Sequence, residues 1–282
     1  MKRRLGVSNL AWPAAAEARV LALLTERGAS GIEVAPTRIA PWDGMTAQRL
    51  AAFRQGCTQA GLSVSSLQAI FYLKPEASLL GDEAGFTAMC EHVRRVAGIA
   101  SALGAGVAVF GAPRSRLRGD LAPADAMLRG TERLRRLGDI AAAGGLVLGM
   151  EPVPPEYGAD FLNHARDVIE IVQGCDHPFV RAHLDTACVT LGGDDVAEAI
   201  QAAAPLLAHY HMAELQLGPF DAPVCDHALA GATLDKIGYS GWVVVEMREV
   251  EGADDGLGAI ATAIDFARLH YSGLHQPVEP ET

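Results

Sequence analysis

Short β-rich runs alternate with longer helical stretches from one end of the chain to the other, and this alternation constrains the fold more than any other feature. The apolar runs are LGVSNL (5–10), GIEVA (31–35), LSVSSLQ (62–68), GVAVFG (106–111), LVLGME (146–151), VRAHLD (180–185), LAHYHM (207–212) and WVVVEM (242–247). Between them lie Ala/Leu/Arg-rich segments such as 46–60, 85–103, 123–143, 163–173 and 257–271, which suit amphipathic helices. Gly61, Gly104, Gly144 and Gly238 stand where helices should stop, as a left-handed residue past the last turn requires. Strands separated by helical crossovers run parallel. A closed barrel and an open doubly wound sheet both meet that demand. The glycine-rich dinucleotide-binding turn is missing after the first run, where Asn9-Leu10-Ala11-Trp12-Pro13 stands instead. Eight uninterrupted units in 282 residues favour an α/β fold of the (β/α)8 TIM-barrel type, which typically takes about 250 residues. One domain over 1–274 is expected, followed by a disordered tail at 275–282 (HQPVEPET).

A formal net charge of −11 makes nucleic acid and anionic membrane surfaces poor partners. Cys57, Cys90, Cys175, Cys188 and Cys225 are scattered and never spaced C-x-x-C. That argues against a disulfide framework or a zinc knuckle, and for a reducing cytoplasm. Asn9 and Pro13 interrupt the basic start MKRRLGVSNLAWP, so it does not read as a signal peptide. No apolar run reaches the roughly 18 residues expected of a membrane span.

Four metal-competent side chains end four successive runs: Glu151, Asp185, His211 and Glu246. Their separations of 34, 26 and 35 residues each come close to one βα unit, about an eighth of the chain. In a barrel, consecutive strand ends lie side by side at the C-terminal rim, where active sites of this fold sit. A single carboxylate at such a place commonly caps a helix, and a single histidine commonly packs in the core. Four on consecutive strands would leave costly unpaired charge unless a cation is shared. Three carboxylates and one imidazole make a hard, oxygen-rich set that suits manganese, magnesium or cobalt better than a thiolate-type zinc site does.

The stretches GMEPVP around Glu151, HLDTAC around Asp185, HYHMAE around His211 and IGYSGWVVVEM leading to Glu246 resemble the xylose-isomerase-like barrel superfamily. Within it they are similar to the single-domain sugar (phosphate) isomerase/epimerase group that includes D-tagatose 3-epimerase and hydroxypyruvate isomerase. The likeness spans essentially the whole chain, and the G-Y-x-G turn before the last strand is its most specific part. It implies one divalent ion, manganese first and magnesium, cobalt or zinc as alternatives, held by Glu151, Asp185, His211 and Glu246. It also implies proton abstraction next to a metal-bound carbonyl of a small ketose, sugar phosphate or related keto-polyol, with Glu151 and Glu246 as the two proton carriers. Glu156 matches a further pocket carboxylate of that group loosely, or is an ordinary loop carboxylate. Two positions depart from the pattern. The group usually has a histidine where Cys188 stands and a basic residue where Leu217 stands, so two substrate-holding side chains are replaced.

His183 and His209 precede Asp185 and His211 by two residues and so point into the barrel a layer deeper, as core residues or as partners of a metal ligand. Asn9, Glu33 and Gln68 end the first three strands and either contact substrate or cap the following helices. The fourth loop, GAPRSRLRGD, groups Arg114, Arg116 and Arg118, while Lys74 and Arg248 also follow strand ends. These cations form either a solvated basic patch or a site for an anionic group of the substrate. The candidate substrate contacts are therefore Gln68, Arg114, Arg116, Glu156, Cys188 and Arg248. A metal-dependent dehydratase of a cyclic polyol or hydroxy acid is the alternative enzyme, and a non-catalytic sugar-binding barrel the alternative of a different class. The partner expected in each case is a small sugar-like molecule; self-association is left open.

Overall fold

A computed structural model of the chain describes residues 3–252 and 254–271; the tail expected at 275–282 lies outside the described residues. The strands are β1 (Arg4–Ser8), β2 (Gly31–Val34), β3 (Ser63–Leu67), β4 (Val107–Phe110), β5 (Val147–Met150), β6 (Val180–Asp185), β7 (Leu207–Ala213) and β8 (Trp242–Glu246). They close in sequence order into a parallel barrel, with β8 pairing back onto β1. The helices outside are α1 (Glu17–Glu26), α2 (Ala47–Gln59), α3 (Glu83–Leu103), α4 (Pro123–Ala142), α5 (Ala165–Cys175), α6 (Thr186–Leu191), α7 (Val196–Ala203), α8 (His227–Lys236) and α9 (Leu257–His270). This is the expected (β/α)8 TIM barrel.

The helices form where local chemistry and burial agree. Along α3, Phe86, Met89, Val93, Val96, Ala100 and Leu103 recur every three or four residues and are buried against the sheet. Asp82, Asp195 and Asp226 cap α3, α7 and α8 by accepting the free main-chain N–H groups of Gly85, Glu198 and Leu229. The helices α6 and α7 are short, and α8 is built largely of small residues, so their stripes are weak in sequence and their capping aspartates are the clearer signals. Gly61 (φ 76°), Gly104 (φ 83°) and Gly238 (φ 68°) are left-handed as expected. After α4 that role falls to Gly145 (φ 69°) and not to Gly144. Gly144 is instead a close-packing position, where an added Cβ would lie 2.9 Å from the Cβ of Ala97.

Packing closes the barrel from below and fastens its last helices. The Arg4 guanidinium lies 4.3 Å from the centroid of the Trp242 ring. A Cβ at Gly31 would meet that ring at 2.4 Å, so only glycine leaves room for it. Helix α8 meets the end of α9 at Gly231, where a Cβ would lie 1.9 Å from the main-chain oxygen of His270. Among the described residues no helix is long and apolar enough to cross a membrane.

Because the obstacle at Gly231 is backbone, it cannot rotate away. Gly231→Ala should destabilise the barrel by about 1–3 kcal/mol through overpacking, read as a fall in melting temperature of several degrees. An unchanged melting curve would mean that α8 and α9 do not approach this closely.

Candidate metal centre

The C-terminal rim of the barrel brings one ligand atom from each of Glu151, Asp185, His211 and Glu246 to within 4.8 Å of one another. Adjacent strands supply them. Glu151 follows β5 directly, Asp185 ends β6 and Glu246 ends β8. His211 lies inside β7, which continues to Ala213, and it pairs with Asp185 across the sheet. Glu246 pairs with Ala213 and so stands one layer higher than His211. The two inner side chains are nearly sealed, at 2 % exposure for Asp185 and 1 % for His211. The outer glutamates remain reachable, at 11 % for Glu151 and 13 % for Glu246.

Each side chain is held in place by its neighbours. Asp185 caps α6, its Oδ1 accepting the main-chain N–H of Cys188 at 2.7 Å, while its buried Oδ2 has no hydrogen-bond partner. His211 Nδ1 lies 3.1 Å from Glu246 Oε2 and 3.8 Å from Asp185 Oδ2. His183 Nε2 lies 3.3 Å from Glu151 Oε1. Gly111, the residue after β4, makes room for Glu151, because a Cβ there would sit 2.1 Å from Glu151 Oε2.

The electrostatics show strain in the charged form. Burial, then Asp185 and Glu246, push the Glu151 carboxyl well above the usual carboxylate range. Burial and Glu246 push Asp185 up to about 7. Burial opposes a charge on His211, but Glu33 and Glu246 outweigh it and raise the affinity of the ring for a proton. Glu151 and Asp185 so placed favour their protonated forms unless positive charge is added. The orphaned Asp185 Oδ2 and the hard, oxygen-rich donor set fit a divalent cation.

Beneath this cluster lies a second layer. His183 and His209 pair two residues, and so one layer, below Asp185 and His211. Glu33, on β2 and fully buried, takes hydrogen bonds from Ser66 Oγ at 2.7 Å, His209 Nε2 at 3.0 Å and His211 Nε2 at 3.0 Å. Burial raises its affinity for a proton, but His211 and His209 outweigh that and keep Glu33 well below the usual carboxylate range. Asn9, which ends β1 in sequence, braces the next loop by accepting the N–H of Ala35 at 2.8 Å. Neither residue caps a helix.

The candidate substrate contacts divide by setting. Arg114, Glu156 and Arg248 are exposed, whereas Gln68 and Cys188 are buried. The Gln68 amide donates to Ser8 Oγ. Burial and the three nearby carboxylates push the Cys188 thiol well up, so it stays protonated. Of the fourth-loop arginines, Arg118 is bonded to the carbonyls of Asp160 and Leu121. Arg116 is wholly buried and donates from Nη2 to the Glu151 carbonyl at 2.7 Å. Its Nε and Nη1 have no partner. Tyr157, next to Glu156, was not singled out in the sequence. Its hydroxyl accepts the N–H of Gln216 at 2.8 Å and ties the fifth loop to the seventh. A second cluster, Glu214, Cys225 and His227, is satisfied internally: Glu214 accepts from Val224 N, Cys225 N and His227 Nε2, and His227 Nδ1 meets the Tyr271 hydroxyl. It anchors the loop after β7.

Gly111 offers a test of this geometry that spares the fold, since the atom in its way is the tip of a flexible side chain. Gly111→Ala should melt within a few degrees of wild type yet displace the Glu151 carboxylate and weaken manganese binding measurably by calorimetry. Unchanged binding would show that Glu151 does not need the position it occupies here.

Similar barrels are known. A D-psicose 3-epimerase determined in the presence of D-fructose is 20 % identical, with a TM-score of 0.79 over 96 % of this chain and 99 % of that one. The 3-keto-D-glucoside 4-epimerase of E. coli is 19 % identical, with a TM-score of 0.75 over 95 % and 100 %. A probable 3-DHS dehydratase of Bacillus anthracis is 13 % identical, with a TM-score of 0.71 over 93 % and 98 %. No curated protein sequence matches the chain significantly. Residues 21–269 match the family model described as xylose isomerase-like TIM barrel, and the chain belongs to that family.

Proposed function

We propose that the protein is a divalent-metal-dependent isomerase or epimerase of a small ketose or related keto-polyol. The observation that carries this reading is the arrangement of Glu151 and Glu246. They flank two sealed ligands, Asp185 and His211, and are themselves open to a small molecule. A divalent cation held by the four side chains, manganese foremost, would act as a Lewis acid toward the substrate carbonyl and so acidify the adjacent C–H bond. One of Glu151 and Glu246, ionised, then removes that proton as general base, and the other, protonated, returns one to carbon as general acid. Return to the same carbon from the opposite face epimerises; return to the neighbouring carbon isomerises. The sugar epimerases among the similar structures support the choice of substrate class. Five cysteines without a disulfide support a reducing cytoplasm.

His211→Ala and Asp185→Ala should each lose most of the bound manganese in metal analysis of the purified protein. Glu246→Gln should retain part of it but no longer exchange substrate protons with solvent deuterium. The reading fails if wild-type protein incorporates no deuterium into any of a panel of ketoses, keto-polyols and sugar phosphates. It fails equally if fully metallated Glu246→Gln exchanges at the wild-type rate. Incorporation followed by loss of water would instead identify a dehydratase.

One observation favours a refinement of the substrate, namely a carboxylate or phosphate on it. Arg116 is buried beside Glu151 with Nε and Nη1 unpartnered, and an uncompensated buried guanidinium is costly. An anionic group would complete its hydrogen bonding. Arg116→Met should then raise KM for the acidic substrate roughly ten- to hundred-fold, with metal content retained. Equal KM for wild type and variant, or a best substrate without charge, would restrict Arg116 to supporting the Glu151 backbone.

A further inference from the structure

We infer that Glu33 is a positioning residue for the metal-binding histidine: it receives the Nε2 proton of His211 and thereby leaves Nδ1 as the ligand atom. The inference rests on the metal reading above and adds to it a residue that lies outside the ligand set.

The argument is one of donors and acceptors. A neutral imidazole carries one N–H and one lone pair, and an ionised carboxylate can only accept. His211 Nε2 lies 2.9 Å from Glu33 Oε1 and 3.0 Å from Oε2. The opposite nitrogen, Nδ1, faces Glu246 Oε2 at 3.1 Å and Asp185 Oδ2 at 3.8 Å, both of them oxygens of the cation-binding set. With the proton held at Nε2, the lone pair of the neutral ring points at the other ligands. Glu33 cannot join them around the same ion, because it approaches the other side of the ring.

The surroundings make this arrangement rigid. Glu33 is 0 % exposed, so water cannot replace His211 as its donor. Ser66 Oγ at 2.7 Å and His209 Nε2 at 3.0 Å hold the carboxylate from two further strands, β3 and β7. A carboxylate behind a ligand histidine fixes its tautomer and orientation and raises its basicity, and losing one typically costs ten- to a hundred-fold in metal affinity.

The test is titration of manganese into metal-free wild-type protein, Glu33→Gln and Glu33→Asp, followed by calorimetry. Glu33→Gln keeps the shape and one acceptor oxygen but loses the charge, and its Kd should rise roughly ten- to hundred-fold. Glu33→Asp, which keeps the charge, should lose less. Gly144→Ala, in the turn that leads into β5 at the end of the barrel opposite the rim, would crowd Ala97 and serves as a destabilised control; its Kd should match wild type, which separates lost stability from lost ligand positioning. Independently of any variant, nitrogen-15 spectra of the magnesium-loaded wild type should show His211 carrying its proton at Nε2. A Glu33→Gln Kd within twofold of wild type, or a His211 proton at Nδ1 in the loaded protein, overturns the inference while leaving the metal reading intact. Wild-type protein that binds no divalent ion overturns both.

Discussion

Everything at the rim of this barrel follows from mutual repulsion among three carboxylates. Three strands deliver Glu151, Asp185 and Glu246 to one space, where burial already penalises the charge of Glu151 and Asp185. Such a cluster is tolerable when each group has a counter-charge or a proton. His211 supplies part of the compensation, and a cation would supply the rest. Burial, reinforced by the same negative charge, keeps the neighbouring Cys188 thiol protonated, which removes it from consideration as a nucleophile despite its place at the start of α6.

The layer beneath is built for the same purpose. Barrel interiors are usually filled by branched aliphatic side chains, yet Glu33, Ser66, His183 and His209 are buried here. Polar groups in a core destabilise unless they are paired, and Glu33 is paired three times over. The aliphatic and aromatic contacts that stabilise the fold therefore lie largely outside the barrel wall, between strands and helices. The centre holds a polar group in which Ser66, His209 and the rim histidine His211 converge on Glu33. Above it, the loops adopt backbone shapes that side chains disfavour: Ala112 (φ 30°), Leu162 (φ 56°), Gln216 (φ 57°) and Leu217 (φ 56°) are all left-handed without being glycine. Tyr157 clamps one of these loops to another through Gln216.

Leu217 and Cys188, the two positions that depart from the resemblance, are held through their backbones. Leu217 is left-handed, and its carbonyl accepts the N–H of Arg248. Cys188 donates its main-chain N–H to Asp185 Oδ1, the contact by which Asp185 caps α6. The four metal-competent side chains thus come from the strands and their ends, while these two positions lie in the helical segments that follow them. Chemistry common to the frame and specificity set by the loops is the division expected of this barrel.

The sequence by itself determined the barrel and the four rim side chains. A period of one βα unit is visible in the chain, and closure of the barrel converts that period into adjacency for strand ends. The helix stops were legible too, except that Gly145 and not Gly144 takes the left-handed place after α4, since boundaries depend on packing against Ala97. Tertiary structure alone decided what lies across the barrel. Glu33 and His211 are 178 residues apart and on strands β2 and β7, so no local pattern links them. Gly111 reads as a turn glycine until Glu151 is seen beside it. The three fourth-loop arginines look equivalent in sequence, yet Arg114 is exposed, Arg118 is tied to main-chain carbonyls and Arg116 is buried beside Glu151. Spacing along the chain reports which strand a residue ends, while its partner on a facing strand or loop is fixed only when the barrel closes.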